Sequence, residues 1–210
     1  TNVRTAAAGA VCAKYLAPKD VQCIGVIGAG AQGRMQVEYL RHVTPCKEVM
    51  VWDWDADALA DYQTDMEILG YSIQTVANAE DIAAQCNLIV TVTPATSPLL
   101  FADKIRPGTH ITAVGSDTPE KTELDPAILQ KADIVVADSI SQCLLRGEIH
   151  HAMKAGMLDK AEIVELGNVI IHPELRRSSE EQITVADLTG VAVQDIQIAK
   201  AVYQGLKEME

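Results

Sequence analysis

Residues 23–33 of the chain read CIGVIGAGAQG, an apolar run followed by three spaced glycines. The run is typical of a strand buried on both faces of a parallel sheet, and a helical pattern follows the glycines. In this context the first glycine permits a tight turn, the second lets the backbone approach a pyrophosphate, and the third allows close helix–strand packing. The helix N-terminus then offers N–H groups to the anion. The motif predicts a dinucleotide-binding turn, with a glycine-rich turn lacking a ligand as the alternative. The predicted contacts are Gly28, Gly30, Ala31, Gln32 and Gly33.

Apolar runs alternate with amphipathic segments along the rest of the chain. Strands are predicted at residues 23–27, 49–52, 71–76, 88–92, 110–114, 134–137 and 182–186. Helices are predicted at residues 4–16, 31–43, 56–69, 81–85, 126–131 and 191–207. Asp55 and Gly70 supply start and stop signals for the helix between them. The alternation predicts an α/β fold, namely a Rossmann-type, doubly wound parallel sheet.

Two polar residues follow predicted strands and are candidates for cofactor contact. Asp53 ends the second strand, where a carboxylate can accept both ribose hydroxyls of an adenosine and would repel a 2′-phosphate. Residues 54–57 contain no Arg or Lys to neutralise such a phosphate, so the sequence favours NAD over NADP. The alternative for Asp53 is a helix cap, a role that Asp55 fits better. Thr93 follows the fourth main strand, where its hydroxyl contacts either the cofactor or the Thr-Pro turn.

Composition and charge exclude several classes of protein. Hydrophobic residues make up 48% and charged residues 22%, which is a globular composition. The net charge of −12 repels phosphate backbones, so we expect no nucleic-acid partner. No apolar run is long enough to span a membrane, and no signal peptide is recognisable, so we expect no membrane partner. Five widely spaced cysteines indicate free thiols in a reducing cytoplasm, and no metal-binding pattern is found.

Five blocks of sequence carry a more specific signal. They lie at residues 4–7, 27–32, 115–125, 136–143 and 183–195. In this order they resemble the ornithine cyclodeaminase/mu-crystallin family. The resemblance implies a Rossmann domain joined to a second domain that binds substrate and forms a homodimer in the full-length protein. It also implies NAD as cofactor and a small amino or imino acid as substrate.

The resemblance assigns roles to individual residues. It implies that Arg4 binds the substrate α-carboxylate and that Asp117 is the catalytic acid/base. The implied cofactor contacts outside the glycine turn are Thr5, which would touch the phosphates, Gly115, and Thr189 and Gly190 near the nicotinamide. The sequence alone leaves a surface ion pair open for Arg4 and a turn role before Pro119 open for Asp117.

The resemblance also implies how the chain divides. Residues 1–20 are expected to form a linking helix at the edge of an incomplete second domain, and residues 21–180 the NAD-binding Rossmann domain. Residues 181–210 are expected to add a strand and helix associated with the second domain. Two departures from the family pattern stand out: Glu120 replaces a glycine, and a long segment that precedes the Arg4 block in the family is missing. If nothing precedes Thr1, we expect NAD binding with little or no turnover, and terminal helices that expose apolar surface.

Two classes of function are consistent with these features. In the first, an enzyme transfers hydride from the substrate Cα to NAD and generates an iminium. A cyclodeaminase then lets the side-chain amine attack and returns the hydride, whereas a dehydrogenase admits water and a ketimine or imine reductase uses only the return step. In the second, the chain is a mu-crystallin-like nucleotide-binding protein without cyclodeaminase activity. The sequence favours the enzyme, because it keeps Asp117 in the Gly-Ser-Asp pattern from which, by the resemblance, mu-crystallin itself departs.

Overall fold

The structure, a computed structural model, describes residues 1–207 and contains two parallel sheets flanked by helices. The strands are β1 (Ile24–Ile27), β2 (Glu48–Trp52), β3 (Ser72–Thr75), β4 (Leu88–Thr91), β5 (Thr96–Leu100), β6 (His110–Ala113), β7 (Thr122–Leu124), β8 (Ile134–Ala137), β9 (Ile163–Glu165) and β10 (Thr184–Asp187). The helices are α1 (Asn2–Leu16), α2 (Ala31–Leu40), α3 (Ala56–Ile68), α4 (Ala79–Gln85), α5 (Pro126–Lys131), α6 (Ile140–Cys143), α7 (Glu148–Lys154), α8 (Leu166–Ile171) and α9 (Ala192–Lys207). Short 3-10 helices occupy Lys160–Glu162 and Pro173–Leu175.

The main sheet has eight strands in the order β3-β2-β1-β4-β6-β10-β8-β9, and every pairing in it is parallel. Every residue of β1, β4, β6 and β10 is buried, as expected for strands covered by helices on both faces. These features confirm the predicted α/β, Rossmann-type doubly wound fold. A separate pair, β5 and β7, was not predicted.

The strand near the C-terminus corrects the predicted domain division. Residues 181–210 were expected to associate with a second domain, but β10 pairs with both β6 and β8, with Thr184 opposite His110 and Ile134. Parallel pairing on both sides lets this strand bury all four of its residues in the sheet. Helix α9, by contrast, has no buried residue. The assignment of α1 and α9 to a second domain stays a prediction, and residues 208–210 lie outside the described residues.

Helices cover the sheet in layers that fix the strand ends. On one face, Val37 and Leu40 of α2 and Tyr62 and Met66 of α3 pack against β1, β2 and β4. The opposite face is covered by α4, α5 and α7, with Ile82 among the fully buried side chains. Burial of a large apolar side chain contributes about 1.5–3 kcal/mol, so these layers hold the sheet rigidly beneath the loops at its carboxyl edge.

Local signals explain where helices begin and end. The Asp55 carboxylate caps α3 by accepting hydrogen bonds from the N–H groups of Asp57 and Ala58. Gly70 follows the helix with φ +83°, a conformation that favours glycine, so both predicted signals are confirmed. Helix α9 exposes a row of apolar side chains: Val193, Ile196, Val202, Tyr203 and Leu206. None of the helices within residues 1–207 combines the length and apolar character needed to cross a bilayer.

Candidate functional site

The turn after β1 has the geometry that its three glycines predict. Gly28 has φ +112° and donates its N–H to the Trp52 carbonyl, 2.9 Å away. A Cβ at Gly33 would lie 2.1 Å from the Gly28 carbonyl oxygen, so only glycine lets α2 approach this closely. Gly30 is the N-cap of α2, and a Cβ there would meet nothing within 4 Å. The turn therefore packs tightly between Gly28 and Gly33 but leaves free space at Gly30. The N-terminus of α2, formed by Ala31 and Gln32, begins at this open position.

Asp53 ties the end of β2 to this turn. One carboxylate oxygen accepts the N–H of Ala29 at 2.7 Å, and the other accepts the N–H of Asp55 at 3.1 Å. Helix α3 is capped by Asp55 instead, so Asp53 is not its cap. Arg34 also lies near this turn and was not predicted from the sequence. It donates a hydrogen bond to the Ala29 carbonyl and forms an ion pair with Asp65 at 2.8 Å.

A small cleft opens beyond the carboxyl ends of β6 and β10, with a volume of about 170 Å³. It brings together six of the residues that were singled out in the sequence: Arg4, Thr5, Gln32, Asp117, Thr189 and Gly190. These residues come from α1, α2 and the loops after β6 and β10. The cleft follows the rule that ligands bind in a crevice outside the carboxyl ends of the strands of an open α/β sheet.

Arg4 is engaged by the last helix. Its Nε pairs with the Asp195 carboxylate at 3.1 Å, and its Nη1 donates to the Gln194 amide oxygen at 3.2 Å. The guanidinium also lies against Gly190, where a Cβ would approach Nη1 to 2.7 Å. The Asp195 side chain is about half exposed, whereas that of Arg4 is largely covered, so solvent reaches this ion pair from the Asp195 side.

Asp117 lies on the loop after β6 and forms an ion pair with Lys121 at 2.7 Å. The Asp117 side chain is 58% exposed, which leaves its carboxylate accessible from the cleft. Its N–H donates to the Gly115 carbonyl, so the loop folds back on itself as the turn interpretation expects. Turn geometry and an accessible carboxylate are thus both present.

Buried carboxylates that the sequence did not reveal hold the predicted contact segments in place. Glu123 is fully buried and accepts four hydrogen bonds: from the Thr91 hydroxyl at 2.7 Å, the Thr93 N–H and hydroxyl at 2.6 and 2.8 Å, and the Gly115 N–H at 2.9 Å. Thr93 and Gly115, both predicted cofactor contacts, are therefore joined through one side chain. Burial raises the pKa of Glu123 to about 7, against the hydrogen bonds that lower it.

Glu148 holds the loop after β6 and strand β7 together in a similar way. Glu148 accepts hydrogen bonds from the hydroxyl groups of Ser116 and Thr122 and from the N–H groups of Glu123 and Leu124, and burial raises its pKa.

Asp138 fixes the other side of the cleft. It accepts the Thr189 hydroxyl at 3.2 Å and the Gly190 N–H at 2.6 Å. The sequence blocks at 115–125 and 136–143 contain Glu123 and Asp138, but no block contains Glu148. None of the three carboxylates was singled out from the sequence, since hydrophobic patterning does not mark an acid that holds loops together.

These features define the class of protein. The parallel sheet, the glycine turn between β1 and α2, and the acidic residue at the end of β2 are those of a Rossmann-type nucleotide-binding domain. The chain belongs to the ornithine cyclodeaminase/mu-crystallin family, whose sequence profile matches residues 1–210. This result confirms the resemblance seen in the sequence blocks.

Several relatives have been named for their activities. The chain is 42% identical to an uncharacterized cyclodeaminase of Sinorhizobium fredii and 41% identical to an alanine dehydrogenase of Archaeoglobus fulgidus. These matches cover 99% and 97% of this chain and 63% of each relative. An ornithine cyclodeaminase of Agrobacterium fabrum is 32% identical, with 93% of this chain and 54% of the relative covered. The chain thus spans less than two thirds of the length of these relatives.

Two solved structures also match this chain over its whole length. An archaeal alanine dehydrogenase dimer with bound NAD matches 100% of this chain and 65% of its own, with a TM-score of 0.91 and 38% identity. The iminosuccinate reductase of Paracoccus denitrificans in complex with NAD⁺ matches 100% of this chain and 64% of its own, with a TM-score of 0.90 and 36% identity.

Proposed function

We propose that this chain is the NAD-binding part of an enzyme that transfers hydride at the α carbon of a small amino or imino acid. One observation carries the proposal: a glycine turn that is open above Gly30, an acidic residue beside it and the Arg4 cleft share one edge of the sheet. Relatives solved with NAD in the same fold support it. Bound NAD would supply the hydride acceptor, and reduced NAD the donor.

The residues of the turn fit a dinucleotide. Gly30 and the first N–H groups of α2 suit a pyrophosphate, which needs close backbone approach and favours a helix N-terminus. Each oxygen of Asp53 accepts one backbone N–H and keeps a lone pair for a ribose hydroxyl. The 2′-phosphate of NADP would be repelled by the Asp53 carboxylate. The nearby Arg34 already forms an ion pair with Asp65. The arrangement supports a preference for NAD over NADP.

The cleft residues fit an amino-acid substrate. The Arg4 guanidinium can hold a carboxylate through two parallel hydrogen bonds, once the exposed Asp195 has been displaced. Such a grip would orient the α carbon toward the segment Thr189–Gly190, which Asp138 holds fixed. Asp117, whose carboxylate contacts the Lys121 amine, would take up or return the proton of the substrate amine.

Three reactions share this machinery, and relatives carry names from more than one of them. We favour the cyclodeaminase reaction, because Asp117 provides the carboxylate expected of the acid/base. An alanine dehydrogenase or imine reductase is the next candidate, supported by the 41% identity to an alanine dehydrogenase. A mu-crystallin-like binding protein remains a second class. In the full-length protein we expect a homodimer, as in the alanine dehydrogenase structure.

Calorimetric titration with NAD⁺ tests the cofactor part of the proposal on this chain. Gly33→Ala places a Cβ against the Gly28 carbonyl and is expected to abolish binding. Gly167→Ala is the matched control, since a Cβ there meets nothing within 4 Å. Equal binding by the two variants, or none by the unaltered chain, would refute the proposal.

Turnover assays on the full-length protein separate the reactions. Ammonia release from ornithine without net change in NADH identifies a cyclodeaminase. Net NADH oxidation with a cyclic imine, or with pyruvate and ammonia, identifies a reductase or an alanine dehydrogenase. Binding of the nucleotide without any of these reactions would favour the binding protein.

A further inference from the structure

Two cysteines meet at the amino edge of the main sheet, away from the glycine turn. Cys23 directly precedes β1, and Cys86 lies between α4 and β4. Their Sγ atoms are 3.3 Å apart, and the Cys86 thiol donates a hydrogen bond to Cys23. Cys86 is fully buried, whereas Cys23 is partly exposed. The described chain thus holds two reduced thiols in contact, one of which solvent can reach.

We infer that Cys23 and Cys86 form a modification site at which a small-molecule disulfide, such as oxidised glutathione, creates an intramolecular disulfide. The inference does not depend on the proposed function. Contact between the sulfurs is its main support, because a disulfide requires them to approach by only about 1.2 Å. Both cysteines lie in short segments outside helices and strands, which can adjust by that amount.

The surroundings favour reaction at Cys23 first. The hydrogen bond from Cys86 lowers the pKa of the Cys23 thiol, and the Arg106 charge adds to this effect, although burial and Glu48 oppose it. The hydrogen bond to Cys23 and burial both raise the pKa of Cys86. Cys23 is therefore the thiol that is both accessible and more readily ionised, and Cys86 is placed to resolve the mixed disulfide.

The chemistry proceeds through two exchanges. The Cys23 thiolate attacks one sulfur of oxidised glutathione, which forms a mixed disulfide and releases one glutathione thiolate. Cys86 then attacks the Cys23 sulfur, which forms the protein disulfide and releases the second glutathione. The two protons of the protein thiols pass to the two glutathione thiolates. The protein loses two electrons, and oxidised glutathione gains them.

The nearby Cys46 provides a control for specificity. It is also partly exposed, but its Sγ contacts the Glu48 carbonyl at 3.6 Å, and burial raises its pKa. Cys46 is close enough to interact electrostatically with Cys23 and Cys86, but among the described residues it forms no hydrogen bond with either thiol. The remaining cysteines, Cys12 and Cys143, are buried.

The test treats the native protein with an excess of oxidised glutathione and then counts free thiols after acid quenching and unfolding. We expect the count to fall from five to three, because one pair forms. The intact mass should fall by about 2 Da, with a proteolytic peptide that links Cys23 to Cys86. Cys46→Ser should form the same link. Cys86→Ala should stop at a glutathione adduct on Cys23, and Cys23→Ser should form neither product.

Other outcomes would overturn the inference. Five free thiols after prolonged treatment would show that the two sulfurs do not react together. A link between Cys23 and Cys46, or loss of oxidation in Cys46→Ser, would assign the reaction to a different pair. A stable glutathione adduct on Cys23 of the unaltered protein would show that Cys86 does not resolve it.

Discussion

Replacing Glu123 by glutamine probes the buried carboxylate that joins the ends of β4 and β6. Each carboxylate oxygen faces one backbone N–H, that of Thr93 or Gly115, as well as a threonine hydroxyl. The NH₂ group of glutamine must therefore oppose one backbone N–H, whichever way the amide is turned. At pH 5.5 the Glu123 carboxyl is mostly protonated, but both of its oxygens can still accept the backbone N–H groups while its O–H donates to a threonine hydroxyl. A buried donor left without an acceptor costs about 1–3 kcal/mol, so we expect the glutamine variant to lose this much free energy of unfolding at pH 5.5.

The pH dependence makes the prediction sharper. Burial raises the pKa of Glu123 from 4.5 to about 7, so the folded state binds this proton more tightly than the unfolded state. The carboxyl therefore contributes stability that is complete below pH 4.5 and is lost as the pH rises through 7, by about 3 kcal/mol in total. Of this loss, about 2 kcal/mol falls between pH 5.5 and 8.5. Glutamine does not titrate, so the deficit of the variant should shrink by about 2 kcal/mol over that interval.

Urea unfolding at several pH values measures both effects. Glu120→Gln is the matched control, because Glu120 lies in the turn just before β7 and is exposed. The difference in unfolding free energy between this variant and the unaltered protein should stay near zero throughout. A deficit for Glu123→Gln that does not change with pH would refute the raised pKa. The absence of any deficit at pH 5.5 would refute the hydrogen-bonding argument.

Three further predictions concern other parts of the molecule. Asp53→Ala should weaken NAD⁺ binding more than NADP⁺ binding in calorimetric titrations, and equal losses would contradict the ribose assignment. Arg4→Ala in the full-length protein should raise KM for the amino or imino acid by about 10-fold or more, because a charge-assisted carboxylate contact is lost; an unchanged KM would leave Arg4 as a structural ion pair. Tyr62→Phe should leave stability unchanged or raise it by about 1 kcal/mol, since the buried hydroxyl finds no partner in the described chain. Tyr71→Phe, its control, should lower stability, because that hydroxyl donates to the Val37 carbonyl; the reverse order in urea unfolding would contradict both.

The sequence predicted the strands whose residues are uniformly apolar. Because helices cover both faces of the sheet, its strands consist of consecutive apolar residues, such as Val26 and Ile27 in β1 or Val135 and Val136 in β8. Such runs are recognisable from the sequence. It missed β7, since three residues with Glu123 at the centre do not resemble a buried strand. That carboxylate is tolerated because four donors converge on it, and three of them, from Thr91 and Thr93, lie 30 or more positions away in the chain.

The candidate site likewise contains one part that the sequence predicts and another that it does not. The glycine turn was predictable because its residues are consecutive and their conformations follow from the absence of a side chain. The contact between Arg4 and Asp195 joins residues 191 positions apart, and local patterns contain no information about such a pairing. The position of β10 in the sheet escaped prediction for the same reason, although its location in the sequence was found.

The place of β10 has a consequence for the synthesis of the protein. Residues 184–187 are translated after every other strand, yet they alone bridge β6 and β8. Until they leave the ribosome, a nascent chain that has begun to fold carries two unsatisfied strand edges whose backbone can pair with other polypeptides. Translation that stalls before Thr184 would leave this unfinished sheet exposed, and a chaperone that shields extended segments would be needed to keep it from aggregating.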